Sequence, residues 1–312
     1  MKIFVSVVSF RDPLLKYTVR SLLDEKSGDN KITVGIFEQT CVEDSLLTVD
    51  PDLVSHENVK YKRIDPEYAD GVVWARYVNA SQIEDEEFIY QIDSHMLYDK
   101  HWDSYLVQDW ELGRKKTDSD KVIISSGCLG FDILDDNTFV KIKETEELTT
   151  SAKYFTFQKN LRLPAAHGEL IPKTENVEPT IHIFAGNFFA PISWVEEIGY
   201  DSRIFFSGEE HHMTLKSFIN GWSLFSARQI HAYHYTGTND YITKHWVDPI
   251  NKKYDILTPR GNKYWKKFIG TVLEEDLKKY HEYSGVDYIK EIIEERAFTR
   301  QIRAIDPQGT PT

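Results

Sequence analysis

The chain has 312 residues, of which 41% are hydrophobic, and its 50 acidic residues against 37 basic ones leave a net charge of −13. So acidic a surface disfavours non-specific attraction to nucleic acid or anionic lipid, and we expect neither as a partner. The length and apolar fraction suffice for one large α/β domain or for two small ones.

The two cysteines, Cys41 and Cys128, lie in strand-like surroundings and are expected to be free thiols of a reducing compartment. Met1 leads straight into an apolar run without the pattern of a signal peptide. We also find no apolar stretch near the roughly 20 residues of a membrane span. These features predict a cytoplasmic protein outside the membrane.

The start of the chain has the pattern of a strand–helix–strand unit. Residues 3–9 and 31–37 are apolar and β-branched, and residues 14–23 between them are amphipathic with a helical period. Asp12 followed by Pro13 suits a helix N-cap and the first helical position. The unit predicts two parallel strands joined by a right-handed crossover.

Residues 88–92 read as a strand buried on both faces, and Asp93-Ser94-His95 follow directly. Asp93 and His95 project to the same side of an extended chain, so one carboxylate and one imidazole can share a divalent cation. Ligands of α/β proteins gather at the carboxyl ends of strands. The alternative is that Asp93 caps the next turn and His95 is an ordinary surface residue.

Arg76 is placed one turn into a predicted helix over residues 71–81. It could pair with a surface acid such as Glu84, or its planar donor fork could reach a diphosphate. The sequence leaves both interpretations open.

Residues 102–112 have the pattern of a helix, and residues 113–120 that of a charged loop. The loop contains Asp118-Ser119-Asp120, which precedes a strand instead of ending one, so we do not interpret it as the metal site. Residues 132–158 are polar and show no clear periodicity, which predicts a long loop on the surface. Residues 155–167 are expected to contact the molecule on which the protein acts.

A strand predicted over residues 180–184 leads to Gly186 and Asn187. The glycine permits close approach of the backbone to a ligand, and the Asn187 amide could bond sugar hydroxyls; a plain glycine turn is the alternative. Further on, Glu209 and Glu210 follow an aromatic pair and a glycine, which suggests a pocket wall, although a helix start also favours acidic residues.

The histidine pair after them, His211 and His212, is expected to be structural, since neighbours on a helix point about 100° apart. Strand alternation over residues 230–235 places His231 and His234 on opposite faces. Residues 273–283 and 286–303 have apolar residues at helical spacing, and a loose tail is expected after them.

Seven segments of the chain resemble, in the family's order, the GlcNAc-transferases that include the cytosolic hydroxyproline N-acetylglucosaminyltransferases acting on a ubiquitin-ligase subunit. They cover the chain from its start to about residue 288 and read VSVVSFRDP at 5, VGIFEQ at 34, GVVWAR at 71, QIDSHM at 91, AGNFFAP at 185, FSGEE at 206 and YHY at 233.

The resemblance implies a GT-A type α/β domain of Rossmann-like layering over residues 1–252, with a C-terminal helical extension over 253–312 packed on the core. It also implies the site residues. The metal ligands would be Asp93, His95 and His234, with His231 as the rival for the third position. The nucleotide-sugar contacts would be Ser9, Arg11, Gln39, Arg76, Asp93, Ser94, Gly186 and Asn187. The catalytic residues would be Glu209, Glu210 and Arg76.

The expected function is metal-dependent, retaining transfer of a sugar, GlcNAc above all, from a UDP-sugar to a hydroxyl such as that of a hydroxyproline on a protein. Mn²⁺ is the expected ion, with Mg²⁺ as the alternative. A glycan or a hydroxylated nucleobase of phage type is the alternative acceptor. A non-catalytic UDP-sugar-binding module is the alternative class of function.

Overall fold

The computed structural model describes residues 1–41, 43–44, 49–134, 138–142, 147–158, 163–235, 237 and 253–299. The strands are β1 Lys2–Phe10, β2 Lys31–Gln39, β3 Val59–Ile64, β4 Phe88–Ile92, β5 Met96–Tyr98, β6 Val122–Ser125, β7 Leu129–Ile133, β8 Phe139–Lys141, β9 Leu148–Gln158, β10 Leu163–Pro172, β11 Glu178–Pro179, β12 Asn187–Pro191, β13 Ser223–Ser226, β14 Ala232–Tyr235, β15 Val286–Asp287 and β16 Ile292–Ile293. The α-helices are α1 Leu15–Glu25, α2 Pro51–Val54, α3 Val72–Ala80, α4 Trp102–Thr117, α5 Ser193–Glu197, α6 Glu209–Ile219, α7 Tyr254–Ile269, α8 Glu274–Ser284 and α9 Glu295–Thr299.

A mixed eight-stranded sheet in the order β11-β13-β6-β12-β4-β1-β2-β3 forms the centre of the molecule. Strands β3, β2, β1 and β4 run parallel, and β12 joins them antiparallel to β4. The residues of β4 are all buried, as its unbroken apolar run predicts. The carboxyl ends of β1, β2 and β4 therefore lie along one edge of the sheet.

A second sheet, in the order β5-β14-β7-β8, begins directly after the turn that ends β4. Its register places His234 opposite Met96, the residue that follows His95. Two segments about 140 positions apart in the chain are thereby brought side by side. This pairing positions the late histidine at the tip of β4.

The last described segment packs on the core through aromatic side chains. Buried Trp265 of α7 and Tyr280 of α8 share an apolar cluster with Tyr154 of β9 and Tyr288. Such rings bury large areas and contribute much of a core's free energy. None of the helices within the described ranges has both the length and the apolar composition needed to cross a bilayer.

The structure differs from the sequence-based expectations in four segments. Helix α4 continues to Thr117, through Gly113, whose missing side chain lets Val122 pack close. Within the predicted surface loop over residues 132–158, residues 148–158 form β9, which pairs with β10 in a long hairpin and whose residues 149–152 are buried. The strand expected over 180–184 lies instead at β12, and residues 286–299 form β15, β16 and α9 instead of one helix. Prediction from local periodicity was wrong where pairing with a strand distant in the sequence determined the conformation.

Candidate active site

Asp93, His95 and His234 converge where β4 ends. One ligand atom from each lies within 4.8 Å of the others. His95 Nε2 is 2.9 Å from His234 Nε2, and His234 Nε2 is 3.5 Å from Asp93 Oδ2. Burial alone would raise the pKa of Asp93, but the hydrogen bond from His234 and the charge of Arg76 hold that pKa well below its ordinary value. Asp93 is thus kept ionised.

Asp12 holds His95 from behind. Its Oδ2 accepts hydrogen bonds from His95 Nδ1 and from the Ser94 hydroxyl, both at 2.6 Å, and its Oδ1 accepts from Leu14 N at 2.8 Å. Burial alone would raise the pKa of Asp12, but the His95 imidazole and these hydrogen bonds lower it. A protonated Nδ1 leaves the Nε2 lone pair of His95 directed toward the cluster.

Helix α1 fixes the same turn through one side chain. The Thr18 hydroxyl donates to Ser94 O at 2.8 Å and accepts from Met96 N at 2.8 Å. Sequence analysis assigned no role to Thr18, and it treated Asp12 only as a helix cap. The position of Asp12 just after β1 was the one feature of the sequence that could indicate a role at the site. That position does not reveal that the partner of Asp12 is His95.

Arg76 lies between two carboxylates. Its Nη1 donates to Glu209 Oε1 at 2.5 Å and its Nη2 to Asp93 Oδ1 at 3.0 Å, and its side chain is only 3% exposed. Burial raises the pKa of Glu209 to about 7, although Arg76 favours the ionised form. The structure therefore gives Arg76 two internal partners, and neither is the surface acid Glu84.

Glu210 is the more accessible member of the acidic pair. Its side chain is 40% exposed, against 7% for Glu209. Glu210 Oε1 accepts from Ala185 N at 2.9 Å, and Oε2 lies 3.3 Å from His182 Nε2. Glu209 is accordingly bound to the interior, whereas Glu210 is held at the surface of the site.

Gly186 and Asn187 lie beside the cluster in different ways. A Cβ on Gly186 would overlap the Oδ2 atom of Asp93, so the glycine allows that carboxylate its position. The Asn187 amide is 5% exposed: Tyr90 OH donates to its Oδ1 at 2.8 Å, and its Nδ2 donates to Ser126 O at 3.0 Å. Both ends of that amide are bonded to the interior.

Three of the residues predicted to contact the nucleotide-sugar, Ser9, Arg11 and Gln39, lie at the carboxyl ends of β1 and β2. Gln39 Nε2 donates to Ser9 O at 3.1 Å, and Arg11 follows with a positive φ of 48°. The hydroxyls of Ser9 and Thr40 are buried without a hydrogen-bond partner among the described residues. Unpaired buried hydroxyls at a strand end suit a ligand's polar groups. The sequence analysis missed Thr40, which its place just after β2 could have indicated.

The three other histidines that the sequence analysis considered, His211, His212 and His231, lie in the core. His231 is 2% exposed, lies 3.2 Å from Tyr90 OH and, because of burial, has its pKa lowered to about 4. It is not a member of the cluster, which contains His234. His211 Nδ1 lies 2.9 Å from Tyr288 OH, away from His212, whose ring packs on Phe268.

Two other segments singled out in the sequence lie away from the cluster or are only partly described. Asp120 is exposed and paired with Arg114 at 2.7 Å. In the segment expected to contact the acceptor, Phe157 packs against Tyr288, and residues 159–162 lie outside the described ranges.

The donor set of the cluster fits a divalent cation. One carboxylate oxygen and two imidazole nitrogens suit Mn²⁺ better than Mg²⁺, which prefers oxygen ligands throughout. Two Nε2 atoms face each other at 2.9 Å, and Asp12 supplies the carboxylate behind a histidine ligand that is common at metal sites. Three protein ligands leave coordination positions open for a substrate.

Comparisons with known proteins agree with this architecture. A family model described as Glycosyltransferase (GlcNAc) matches residues 2–56 and 47–269. The crystal structure of GalNAc-T7 with UDP, GalNAc and Mn²⁺ is similar at a TM-score of 0.51 and 16% identity, over 89% of this chain and 53% of that chain. The chain thus spans about half the length of GalNAc-T7.

A structure of residues 1–349 of TarS from S. aureus aligns at 13% identity over 95% of this chain and 82% of that chain, with a lower TM-score of 0.46. No curated protein matches the sequence significantly. The fold is that of the GT-A glycosyltransferases. The family model matches well over half of the sequence, and the chain therefore belongs to the GlcNAc glycosyltransferase family.

Proposed function

We propose that this glycosyltransferase moves GlcNAc from UDP-GlcNAc to a hydroxyl group, with retention at the anomeric carbon and with a divalent cation, Mn²⁺, in the Asp93–His95–His234 cluster. The observation that carries the proposal is the convergence of these three side chains with Asp12 bonded behind His95. The family match supports the sugar, and the UDP bound in GalNAc-T7 supports the nucleotide by analogy.

The chain's own residues would arrange the donor in two parts. Ser9, Thr40 and Gln39 at the ends of β1 and β2 would hold the nucleoside, since two of them present unpaired buried hydroxyls. A cation in the cluster would neutralise negative charge on the diphosphate as it leaves. Arg76 would hold the carboxylates of Asp93 and Glu209 in place from the interior. It would then act on the diphosphate only by positioning Asp93, and not by direct contact.

In the transfer, the bond between the sugar C1 and the diphosphate oxygen breaks and a bond from C1 to the acceptor oxygen forms on the same face. The acceptor's proton passes to the departing diphosphate, so atoms and charge balance without a covalent enzyme intermediate. The protein's contribution is then orientation and charge stabilisation. Glu210, held by Ala185 N and His182 at the surface of the site, would contact the sugar or the acceptor hydroxyl.

For the acceptor we propose a hydroxyproline on a cytoplasmic protein, on the strength of the resemblance to the hydroxyproline transferases. The two cysteines of the chain are free in the structure, which agrees with a reducing compartment. The net charge of −13 disfavours a DNA substrate with a modified base. We assign catalysis to residues 1–252 and propose that the extension over 253–312, described to residue 299, packs on them.

The proposal is tested with a panel of UDP-sugars in thermal-shift and UDP-release assays, each with and without Mn²⁺. A ligand at about 100 times its dissociation constant adds about 2.7 kcal/mol to the free energy of unfolding. We expect stabilisation by UDP-GlcNAc only with Mn²⁺, and UDP release that grows with a hydroxyproline peptide. Binding without any UDP release would assign the chain to the non-catalytic class, and stabilisation that ignores Mn²⁺ would refute the metal site.

A further inference from the structure

His182 is a buried histidine that contacts Glu210 from beneath and has no role in the function proposed so far. It is fully buried, and its ring packs against Phe184 and His211. Its Nε2 lies 3.3 Å from Glu210 Oε2. Buried imidazoles are normally hydrogen-bonded on both nitrogens, so the partner of the other nitrogen decides which one carries the proton.

The partners of His182 Nδ1 are hydroxyl groups. Tyr154 OH lies 2.8 Å from it, and Thr214 Oγ1 lies 3.5 Å from it. The Thr214 oxygen already accepts a hydrogen bond from Ile183 N at 2.9 Å, so its proton is available to donate. Both hydroxyls can therefore donate to Nδ1, which assigns the proton of the neutral ring to Nε2.

The neighbouring tyrosine strengthens this assignment. Tyr280 OH donates to Ile181 O at 2.7 Å, whereas Tyr154 OH is 3.3 Å from the same carbonyl. Of the three acceptors within reach of the Tyr154 proton, His182 Nδ1 at 2.8 Å is nearer than Tyr280 OH at 3.2 Å and Ile181 O at 3.3 Å. The result is a directed series in which Tyr154 donates to His182 and His182 Nε2–H donates to Glu210.

We propose that His182, set in its tautomer by Tyr154, is a positioning residue that orients the Glu210 carboxylate toward the donor sugar. This inference rests on the proposed function. Glu210 is 40% exposed, and among the described residues two groups bond its carboxylate, Ala185 N and His182 Nε2. Without His182 the Oε2 atom loses its protein donor, and the flexible side chain gains rotamers directed to solvent.

The experiment compares two variants. His182→Phe keeps an aromatic ring but has neither imidazole nitrogen, whereas the amide of His182→Gln can still donate to Glu210. His212→Phe is the matched control, because it makes the same change at a buried histidine of α6, the helix that carries Glu210; His212 packs on Phe268 and is 3% exposed. The measurements on the full chain with Mn²⁺ are kcat/KM for UDP release from UDP-GlcNAc, the Kd of UDP, and the melting temperature.

We expect His182→Phe to lower kcat/KM about tenfold while the Kd of UDP changes less than twofold, and we expect His182→Gln to recover most of the loss. A double variant with Glu210→Ala should be no slower than Glu210→Ala alone, because His182 acts through Glu210. His212→Phe should keep the wild-type rate. A folded His182→Phe protein with the wild-type kcat/KM, or a double variant whose losses multiply, would overturn the proposal.

A second readout does not depend on turnover. In ¹H–¹⁵N spectra of the wild-type chain, we expect a protected His182 Nε2–H signal that moves or disappears in Glu210→Ala. A signal from Nδ1–H instead, or one unchanged by Glu210→Ala, overturns the positioning contact. If the wild-type protein releases no UDP from UDP-GlcNAc, the proposed function fails and the catalytic role of His182 fails with it, while the spectra still judge the contact.

Discussion

Asp12→Asn is the sharpest test of how this chain prepares a metal ligand. An asparagine keeps the Oδ1 atom that accepts from Leu14 N, but it places an amide NH₂ where Oδ2 accepts from Ser94 and His95. To bond that amide, His95 must move its proton from Nδ1 to Nε2. The Nε2 atom, which lies 2.9 Å from His234 Nε2, is then protonated and can no longer bind a cation.

The size of the effect follows from these contacts. Removing the residue that orients a metal-binding histidine typically costs about 10- to 100-fold in metal affinity, which is about 1.4 to 2.7 kcal/mol. The Ser94 hydroxyl can turn and accept from the new amide, so the free energy of unfolding should fall by only about 1 to 3 kcal/mol. The loss of free energy of Mn²⁺ binding and the loss of free energy of unfolding should therefore be of similar size.

The assay is calorimetric titration of Mn²⁺ into the chain with UDP present, beside urea unfolding of the same protein. Asp103→Asn is the matched control: Asp103 is fully buried and accepts from Ser27 N, Ser27 Oγ and Asn30 Nδ2 at 2.6 to 2.9 Å, away from the cluster. We expect it to lower stability and leave the Mn²⁺ affinity unchanged. An Asp12→Asn protein that binds Mn²⁺ like the wild type would refute the reasoning.

Three further predictions concern the interior of the site and the core. Arg76→Met leaves the Glu209 carboxylate buried without its cation and should lower the free energy of unfolding by about 3 to 5 kcal/mol in urea titrations, with part of the loss recovered when Glu209→Gln is added; a loss below 1 kcal/mol would contradict the ion pair. Gly186→Ala displaces the Asp93 carboxylate, a proposed metal ligand, and should weaken Mn²⁺ binding at least about tenfold, whereas Gly270→Ala, with a φ of −69°, should not; equal affinities in calorimetry would contradict this. Burial lowers the pKa of His212 to about 4, so below pH 6.5 the unfolded chain binds a proton at this residue that the folded chain does not bind, and His212 alone should contribute about 3 kcal/mol to the fall in stability between pH 6.5 and 4; in His212→Phe the fall should be smaller by that amount, and identical pH profiles would refute the shift.

The sequence alone predicted the parts of the molecule that local patterns control. The buried run of β4 and the Asp93-x-His95 pair after it were recognisable, because an unbroken apolar strand and the alternation of side chains are properties of a few consecutive residues. The strand–helix–strand start was predicted for the same reason. The GT-A fold and the GlcNAc glycosyltransferase family were expected from seven ordered segments and are confirmed by the comparisons, whereas the closer resemblance to the hydroxyproline transferases stays a prediction.

The resemblance had implied His234 beside Asp93 and His95, but only the tertiary structure decided against His231, explained how His234 arrives, and showed which other distant groups meet there. His234 reaches the cluster because β14 pairs with β5, Asp12 turns from a helix cap into the partner of His95, and Arg76 is enclosed by two carboxylates. Asn187 faces the interior because β12 places it beside Tyr90. Strand pairing and hydrogen bonding between segments tens of residues apart leave no periodic trace in the sequence, so the Asp93-x-His95 pair was recognisable from the chain, whereas the side chains around it were set by the folded packing.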